Sequence, residues 1–187
     1  MTESRRTEER GGRMKKILVV IDMQNDFIDG ALGTKEAVAI VPKAAEKISL
    51  YPCDCVIATR DTHQPNYPET SEGRHLPVVH CIEGTKGWEI REELQKLLTD
   101  AVILNKPSFG SLELPETVKR LAGDEEFELE LIGLCTDICV VSNALLLKAA
   151  FPEVPIRVDA ACCAGVTPDS HRAALQTMRM CQIEIAE

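Results

Sequence analysis

Short runs of aliphatic residues alternate along the chain with longer segments in which apolar residues recur at helical spacing. Most of the short runs are rich in β-branched residues, which is typical of strands buried on both faces of a parallel sheet. Strands are predicted at Ile17–Ile21, Val56–Thr59, Val102–Asn105, Glu128–Ile132, Ile156–Asp159 and Gln182–Ile185. Helices are predicted at Glu36–Leu50, Glu89–Leu98, Pro115–Leu121, Ile138–Ala150 and Pro168–Met180, with Thr167 as the N-cap of the last one. The pattern predicts an α/β fold: a doubly wound, mostly parallel six-stranded sheet with helices on both faces.

In sheets of this kind ligands bind beyond the carboxyl ends of the strands, so functional residues are expected directly after the predicted strands. One connection is unusually long. It runs from Arg60 to Lys86 and holds three of the four histidines. A segment of this length within a compact domain points to a functional loop.

The N-terminal segment differs from the rest of the chain, since Thr2–Arg13 contains no apolar side chain. Such a segment has nothing to bury, so residues 1–13 are expected to form a disordered tail, with Met14 as a possible alternative start. The total of 187 residues suits one domain, and we expect residues 14–187 to form it.

Composition and charge exclude several function classes. The net charge of −9 argues against nucleic acid as a partner, because a phosphate backbone attracts basic surfaces. No apolar run approaches the roughly 20 residues that span a bilayer, so no membrane partner is expected. The eight cysteines include no CxxC pair and follow no apolar leader segment. We therefore expect a cytoplasmic protein with reduced thiols.

Three reactive side chains stand at or just after strand ends. Asp22 follows the first strand, Lys106 the third, and Cys139 the turn after the fourth. If these strand ends are close together, Asp22 can take the thiol proton, Cys139 can attack a carbonyl, and Lys106 favours the ionised forms of both partners. Taken singly, each has a structural interpretation: a turn-forming aspartate, a solvated surface lysine or a buried core cysteine.

The segment around Cys139 is predicted to be a strand, a tight turn and the start of a helix. With Thr136 or Asp137 as N-cap, Cys139 falls in the first helical turn, where the helix dipole is expected to lower its thiol pKa. The backbone N–H groups of Cys139 and Cys135 are the natural pair for an oxyanion hole.

The long loop carries candidate metal ligands. Asp61 and His63 are two residues apart, so in extended backbone both point to one side and can share an ion. Adding Glu72 and His80 gives two nitrogen and two oxygen ligands, a set that suits a divalent metal, with zinc expected and manganese or iron as alternatives. Spacing alone fits solvated loop residues equally well.

Five motifs together resemble the isochorismatase-like cysteine hydrolases, and within them the nicotinamidase branch. They are VVIDMQNDF at Val19–Phe27, TRDTH at Thr59–His63, PVVHCIEGTKGWE at Pro77–Glu89, NKPSFGS at Asn105–Ser111 and GLCTDICV at Gly133–Val140. The resemblance implies a triad of Asp22, Lys106 and Cys139, a cis peptide before Cys135, and metal ligands Asp61, His63, Glu72 and His80. Glu69 is the alternative third ligand. It also implies a homo-oligomer.

The resemblance further implies a small-molecule amide substrate, since family members that cleave a vinyl ether generally lack the nucleophilic cysteine. Nicotinamide hydrolysis through a thioester is the expected reaction. Nicotinamidases usually surround the pyridine ring with two aromatics. Phe27 matches one of them, but Leu76 or a neighbour occupies the stretch of the other, and the sole tryptophan, Trp88, lies later. A carbamoyl or ureido amidase is the alternative, and a binding or redox protein that uses Cys139 without turnover is a third hypothesis.

Overall fold

The computed structural model describes residues 14–186. The segment 1–13, for which a disordered tail is predicted, lies outside the described residues, as does Glu187. Across the described part of the chain, no helix combines the length and apolar character that crossing a membrane requires.

The described residues form one six-stranded sheet in the spatial order β3-β2-β1-β4-β5-β6. The strands are β1 (Lys15–Ile21), β2 (Val56–Asp61), β3 (Val102–Lys106), β4 (Phe127–Leu134), β5 (Ile156–Ala164) and β6 (Glu184–Ala186). Every neighbouring pair is parallel. The predicted doubly wound sheet is therefore confirmed, and the observed sheet is parallel throughout.

Seven α-helices connect or flank these strands in the described residues. They are α1 (Asn25–Ile28), α2 (Lys35–Ser49), α3 (Ser71–His75), α4 (Glu92–Gln95), α5 (Leu114–Ala122), α6 (Val141–Ala150) and α7 (Pro168–Met180). Short 3-10 turns at Cys53–Cys55 and Tyr67–Glu69 and a π-helical turn at Thr136–Val140 complete the regular structure. As predicted, Thr167 caps α7, accepting a hydrogen bond from the Ser170 N–H.

Two of the predicted helices are shorter or divided in the structure, and two short helices were not predicted. The predicted helix Glu89–Leu98 is α only over α4, because the N–H groups of Leu97 and Leu98 bond three residues back, in tight turns. The predicted helix Ile138–Ala150 is divided into the π-helical turn and α6. The single-turn helices α1 and α3 lie in segments with no helical period and were not predicted.

The side chains of β1 alternate between two apolar layers. Ile17, Val19 and Ile21 pack with α5, α6 and α7, whereas Leu18 and Val20 pack with α1, α2 and α4. β1 is thus covered on both faces, which explains its uninterrupted aliphatic sequence. Because β1 lies between β2 and β4, the connections leave in opposite directions at this strand, and a crevice opens at the carboxyl ends of β1 and β4.

Gly133 allows β4 to approach β1 closely at this crevice. Its φ is +122°, and a Cβ built there would lie 2.0 Å from the backbone oxygen of Ile21. A residue with a side chain would be strained at this φ and would clash with Ile21, so position 133 of β4 requires glycine. The backbone that follows Gly133 leads directly into the turn that carries Cys139.

A nearly buried ion cluster ties α2 to the sheet. The Lys47 ammonium lies 2.9 Å from Glu130 Oε1 and 2.8 Å from Asp159 Oδ2, and Tyr51 donates a hydrogen bond to Glu130. Burial alone would raise the pKa of Asp159, but the hydrogen bond and charge of Lys47 outweigh it, so this pKa lies below its ordinary value of 3.8. Ionised Asp159 therefore stabilises the folded state.

Replacing Asp159 by Asn is expected to lower the free energy of unfolding at neutral pH by about 1–3 kcal/mol, since it removes one partner of a largely desolvated pair. Because the folded-state pKa is depressed, the wild-type advantage is present above the unfolded-state pKa and is lost as pH falls through the folded-state value. Urea unfolding of both proteins at pH 7 and below about pH 4 measures the difference.

Glu92→Gln is the matched control, because the Glu92–Lys96 pair is exposed and should contribute little. The role of this cluster would be contradicted if Asp159→Asn and wild type had the same free energy of unfolding at pH 7. It would also be contradicted if the difference between their free energies of unfolding stayed the same in acid.

Candidate active site

The carboxyl ends of β1 and β3 and the turn after β4 bring Asp22, Lys106 and Cys139 into contact. The Lys106 Nζ lies 2.7 Å from Asp22 Oδ2 and 3.4 Å from Cys139 Sγ. The three residues are 0%, 1% and 5% exposed. The strand-end prediction thus placed these side chains correctly in one group, although β3 and β1 are separated by β2.

Hydrogen bonds with Thr59 of β2 hold Asp22 in place. Its φ of 46° turns the chain sharply at the end of β1, and its N–H donates to the Thr59 carbonyl at 3.2 Å. The Thr59 hydroxyl donates to Asp22 Oδ1 at 2.6 Å. These bonds orient the carboxylate so that its second oxygen faces Lys106.

Burial and the mutual charges of the three side chains compete in setting their pKa values. Burial raises the pKa of Asp22, while the Lys106 ammonium works in the opposite direction. Burial also disfavours the charge on Lys106, but the Asp22 carboxylate, the Cys139 sulfur and Asp61 together raise the pKa of the ammonium above its usual 10.5. Lys106 is therefore a permanent cation, placed between an acid and a thiol.

The prediction of a lowered thiol pKa at Cys139 is wrong. Burial raises the pKa of this thiol well above 9.0, the Asp22 carboxylate adds to the shift, and Lys106 only partly offsets it. The loss of water around the sulfur outweighs the stabilisation of a thiolate that a position at a helix start would give. Cys139 at rest therefore carries a thiol, with the Asp22 carboxylate close enough to add to the shift in its pKa.

The predicted N-cap at Thr136 or Asp137 is also wrong, because the turn Thr136–Val140 is π-helical and Cys135 precedes it without a side-chain cap bond. The Thr136 hydroxyl instead bonds His171 Nδ1 at 2.8 Å, and the Asp137 carboxylate accepts the Val166 N–H at 3.1 and 3.2 Å. Both bonds fasten the turn to the β5–α7 region. The Leu134–Cys135 peptide is cis.

Asn143 connects the cysteine turn to the loop after Lys106, and sequence reasoning missed it. Its side-chain N–H groups donate to the carbonyls of Cys139 and Phe109 at 2.8 and 3.0 Å, and its oxygen accepts the Ser111 N–H at 2.9 Å. The residue is fully buried, with all of these bonds made inside the protein. It lies one helical turn beyond Cys139, which is the only signal its sequence position offers.

The four predicted metal-ligand side chains form one cluster beside the triad. The candidate ligand atoms of Asp61, His63, Glu72 and His80 all lie within 4.8 Å of one another. His63 Nε2 is 2.9 Å from Asp61 Oδ2 and 3.6 Å from Glu72 Oε1, and His80 Nε2 is 3.6 Å from Asp61 Oδ2. Asp61 also contacts Lys106 Nζ at 3.3 Å, which joins the cluster to the triad.

Two observations indicate that this cluster suits a divalent metal ion. His63 Nε2 is buried and, although it lies 2.9 Å from Asp61 Oδ2, makes no hydrogen bond of good geometry within the described part of the chain, as expected of a nitrogen that ligates a metal. The Nδ1 of His80 lies 2.8 Å from the Val78 carbonyl, and donation to that oxygen leaves the Nε2 lone pair free for coordination. Two imidazoles and two carboxylates suit a divalent ion of intermediate softness.

The structure brings Glu72, and not Glu69, into this cluster. Thr70 caps α3 by accepting the Gly73 N–H, and α3 carries Glu72 toward the two histidines. Glu69 lies in the preceding 3-10 turn with an exposed side chain. The alternative ligand that the sequence left open is thereby separated from the other three.

The side chain of Gln24 holds the backbone of Asp61 by hydrogen bonds, and this role was not predicted from the sequence. Its amide oxygen accepts the Asp61 N–H at 2.7 Å, and its amide N–H groups donate to the carbonyls of Asp61 and Trp88 at 2.8 Å each. The side chain is fully buried. Gln24 follows Asp22 by two residues, so the turn after β1 supplies both a triad residue and a support for the metal cluster.

A cavity of about 640 Å³ joins the cysteine turn to the metal cluster. Phe27 and Leu76 line it, as predicted, and Cys135 and Cys139 border it with Asp61, Glu72 and His80. Phe109, from the loop after Lys106, is an unpredicted aromatic in its wall. Trp88 lies elsewhere, donating from Nε1 to the Thr62 hydroxyl at 2.8 Å beneath the Arg60 guanidinium.

Comparison with known proteins places the chain in a family. The family model described as the isochorismatase domain matches residues 16–187. The nicotinamidase/pyrazinamidase of Mycobacterium tuberculosis is 28% identical over 188 aligned residues, which cover 91% of this chain and 97% of that protein.

Two crystal structures share the fold over nearly their full length. The pyrazinamidase of Pyrococcus horikoshii in complex with zinc has a TM-score of 0.76 and 27% identity, covering 92% of this chain and 99% of that one. The N-carbamoylsarcosine amidase of Thermoplasma acidophilum has a TM-score of 0.73 and 27% identity, covering 93% and 96%. Since the family model spans nearly the whole sequence, this protein belongs to the isochorismatase family.

Proposed function

We propose that this protein is a cysteine-dependent amidohydrolase that cleaves nicotinamide into nicotinate and ammonia. The observation that carries the proposal is the contact of Lys106 with both Asp22 and Cys139, at a cavity that also reaches a cluster of four metal-ligand side chains. Similarity to a nicotinamidase/pyrazinamidase and to a zinc-bound pyrazinamidase supports the substrate class.

The first half-reaction begins with proton transfer. Asp22 takes the proton of the Cys139 thiol as the sulfur attacks the amide carbon. Because burial raises the pKa of Asp22, the carboxylate is a better base here than in water. Lys106 stays protonated throughout, and its ammonium stabilises negative charge on whichever partner carries it.

The tetrahedral intermediate places negative charge on the former carbonyl oxygen. Cys135 and Cys139 border the cavity, and their backbone N–H groups are the donors we assign to this oxyanion. When the intermediate collapses, the C–N bond breaks, the proton on Asp22 passes to the leaving nitrogen, and ammonia departs. The acyl group remains on Cys139 as a thioester.

The second half-reaction uses the same groups with water in place of the thiol. Asp22, ionised again, removes a proton from water as the water oxygen attacks the thioester carbon. The C–S bond then breaks, the proton on Asp22 passes to the sulfur, and the product leaves as nicotinic acid, which ionises to nicotinate in water. Each turnover consumes one amide and one water and restores the thiol.

Asp61, His63, Glu72 and His80 would hold the metal ion. Zinc is the ion we assign, since its ligands in proteins are imidazoles and carboxylates of this kind and a similar pyrazinamidase binds zinc. When bound, such an ion supplies a Lewis acid that can hold a donor atom of the substrate. The homo-oligomer and the cytoplasmic location stay predictions.

A ureido or carbamoyl amidase is the second candidate, favoured by the structural similarity to N-carbamoylsarcosine amidase. It would use the same nucleophile and the same proton transfers. The two candidates differ in what the cavity wall holds beyond the scissile amide.

Replacing Cys139 by Ala is expected to lower kcat for ammonia release from nicotinamide by at least about 1,000-fold, because the covalent step is removed. Ammonia is measured from the purified, zinc-loaded protein, and the folded state is checked by thermal unfolding. Cys181→Ala is the matched control, since Cys181 is an exposed cysteine at the end of α7. Retained turnover in the Cys139 variant would refute the mechanism. Alkylation of Cys139 without cleavage of any amide would favour the binding or redox hypothesis.

Replacing His63 by Ala is expected to weaken zinc binding at least about 100-fold, because a first-sphere nitrogen is lost. The measurement is metal content after dialysis against a zinc buffer, by mass spectrometry. His75→Ala is the matched control: it lies in the same loop, outside the cluster, with its Nδ1 bonded to Ser71. Unchanged zinc content in the His63 variant would remove this residue from the ligand set.

A further inference from the structure

We propose that the site takes uncharged carboxamides carried on an apolar group larger than a single ring, and that it rejects N-carbamoyl amino acids. This inference rests on the proposed function and specifies its substrate class. It is carried by the size of the cavity, by the apolar residues at its rim and by the distribution of charge around it.

The cavity is larger than a pyridine carboxamide requires. Its volume of about 640 Å³ lies in the middle of the range, roughly 300–1,000 Å³, of sites that enclose drug-sized ligands. With the amide carbon at Cys139, a single ring occupies only the inner part. The exposed lining residues, such as Phe109 and Val166, place the remaining space toward the protein surface.

The walls of this outer part are mostly aliphatic or aromatic, and the exposed Ser71, His75 and Ser108 are their polar members. Leu32 and Ile138 line the cavity, and Leu76, Phe109 and Val166 form its rim. The rim side chains are 37%, 46% and 53% exposed, so apolar surface faces water there. A second ring on the substrate would cover this surface and gain the free energy of removing it from water.

The charges around the cavity argue against an anionic substrate. No lysine or arginine lies among the described residues that line it, and outside the metal cluster the one lining imidazole among them is His75, whose Nδ1 is bonded to the Ser71 carbonyl. The nearby Lys106 ammonium is buried between Asp22 and Asp61. A divalent ion at the cluster would be balanced by the carboxylates of Asp61 and Glu72, leaving no excess positive charge. A carboxylate held in the apolar outer part would lose hydration without gaining a counter-ion.

The first test compares three amides at about pH 8, where ordinary imidazoles are mostly uncharged. Ammonia release by the zinc-loaded protein gives kcat/KM for nicotinamide, for quinoline-3-carboxamide and for N-carbamoylglycine. Quinoline-3-carboxamide keeps the ring nitrogen and adds one fused ring, and its kcat/KM is expected to equal or exceed that of nicotinamide. A value about tenfold or more below nicotinamide would overturn the size inference, because such a penalty means that the ring does not fit.

A second test separates charge from the reactivity of the ureido group. N-carbamoylglycine and uncharged propylurea are titrated by calorimetry into the Cys139→Ala protein, which binds without turnover. The charged ligand is expected to bind at least about tenfold more weakly than the neutral one, because its carboxylate has no partner. Equal or tighter binding of N-carbamoylglycine would overturn the charge inference.

Rim variants show which residues set this preference. Val166→Trp should lower kcat/KM for quinoline-3-carboxamide at least about fivefold more than for nicotinamide, because the added ring fills the outer part of the cavity. Leu112→Trp is the matched control, since Leu112 is 83% exposed and does not line the cavity. An equal loss on both amides in the Val166 variant would contradict the assigned position of the second ring.

The proposed function and this inference fail separately. In one outcome, Cys139→Ala binds quinoline-3-carboxamide at least as tightly as nicotinamide, but the wild type releases ammonia from neither amide. This outcome would reject the catalytic proposal and support the inference about the pocket. Cysteine-dependent release from nicotinamide, with weak binding of the larger amide, would do the reverse.

Discussion

The buried ammonium of Lys106 is the charge on which the candidate site depends. It is 1% exposed, and such an ion is stable only when carboxylates surround it, here Asp22 at 2.7 Å and Asp61 at 3.3 Å. The same ammonium touches the sulfur of Cys139. One cation therefore connects the proposed proton acceptor, the proposed nucleophile and the candidate metal cluster. Removing any one of the charges would leave another without compensation, so the triad and the metal cluster form a single electrostatic unit.

The sheet makes this unit possible because parallel strands end at one edge. Asp61 and Lys106 are the last residues of β2 and β3 and are paired in register, so their side chains start as neighbours. Asp22 reaches them from β1, across β2, where Thr59 directs its carboxylate. The long lysine side chain spans the remaining distance to the cysteine turn after β4. A shorter cation at the end of β3 would not reach both Asp22 and Cys139.

The aliphatic runs predicted five strands within their observed limits, because burial on both faces leaves an unambiguous pattern. Asp22, Lys106 and Cys139 stood out since each occurs at or soon after such a run. Gln24 and Asn143 were missed, because buried amides that bond the backbone look in sequence like ordinary turn or helix-surface residues. The thiol pKa of Cys139 was misjudged since burial by distant segments is absent from local sequence. Glu72 could be distinguished from Glu69 as the third candidate metal ligand only from the position of α3 in the structure.

In the proposed mechanism, the chemistry and the choice of substrate depend on different kinds of residue. The triad is buried, mutually charged and attached to strand ends, so a change in one member disturbs the others. The rim residues Leu76, Phe109 and Val166 are partly exposed and lie in connecting segments, where a new side chain meets water and not a buried ion. Substitution at the rim can therefore alter which acyl group fits while the charges around Lys106 stay paired. This separation gives a physical reason why one catalytic arrangement can serve amides of different shape within a shared fold.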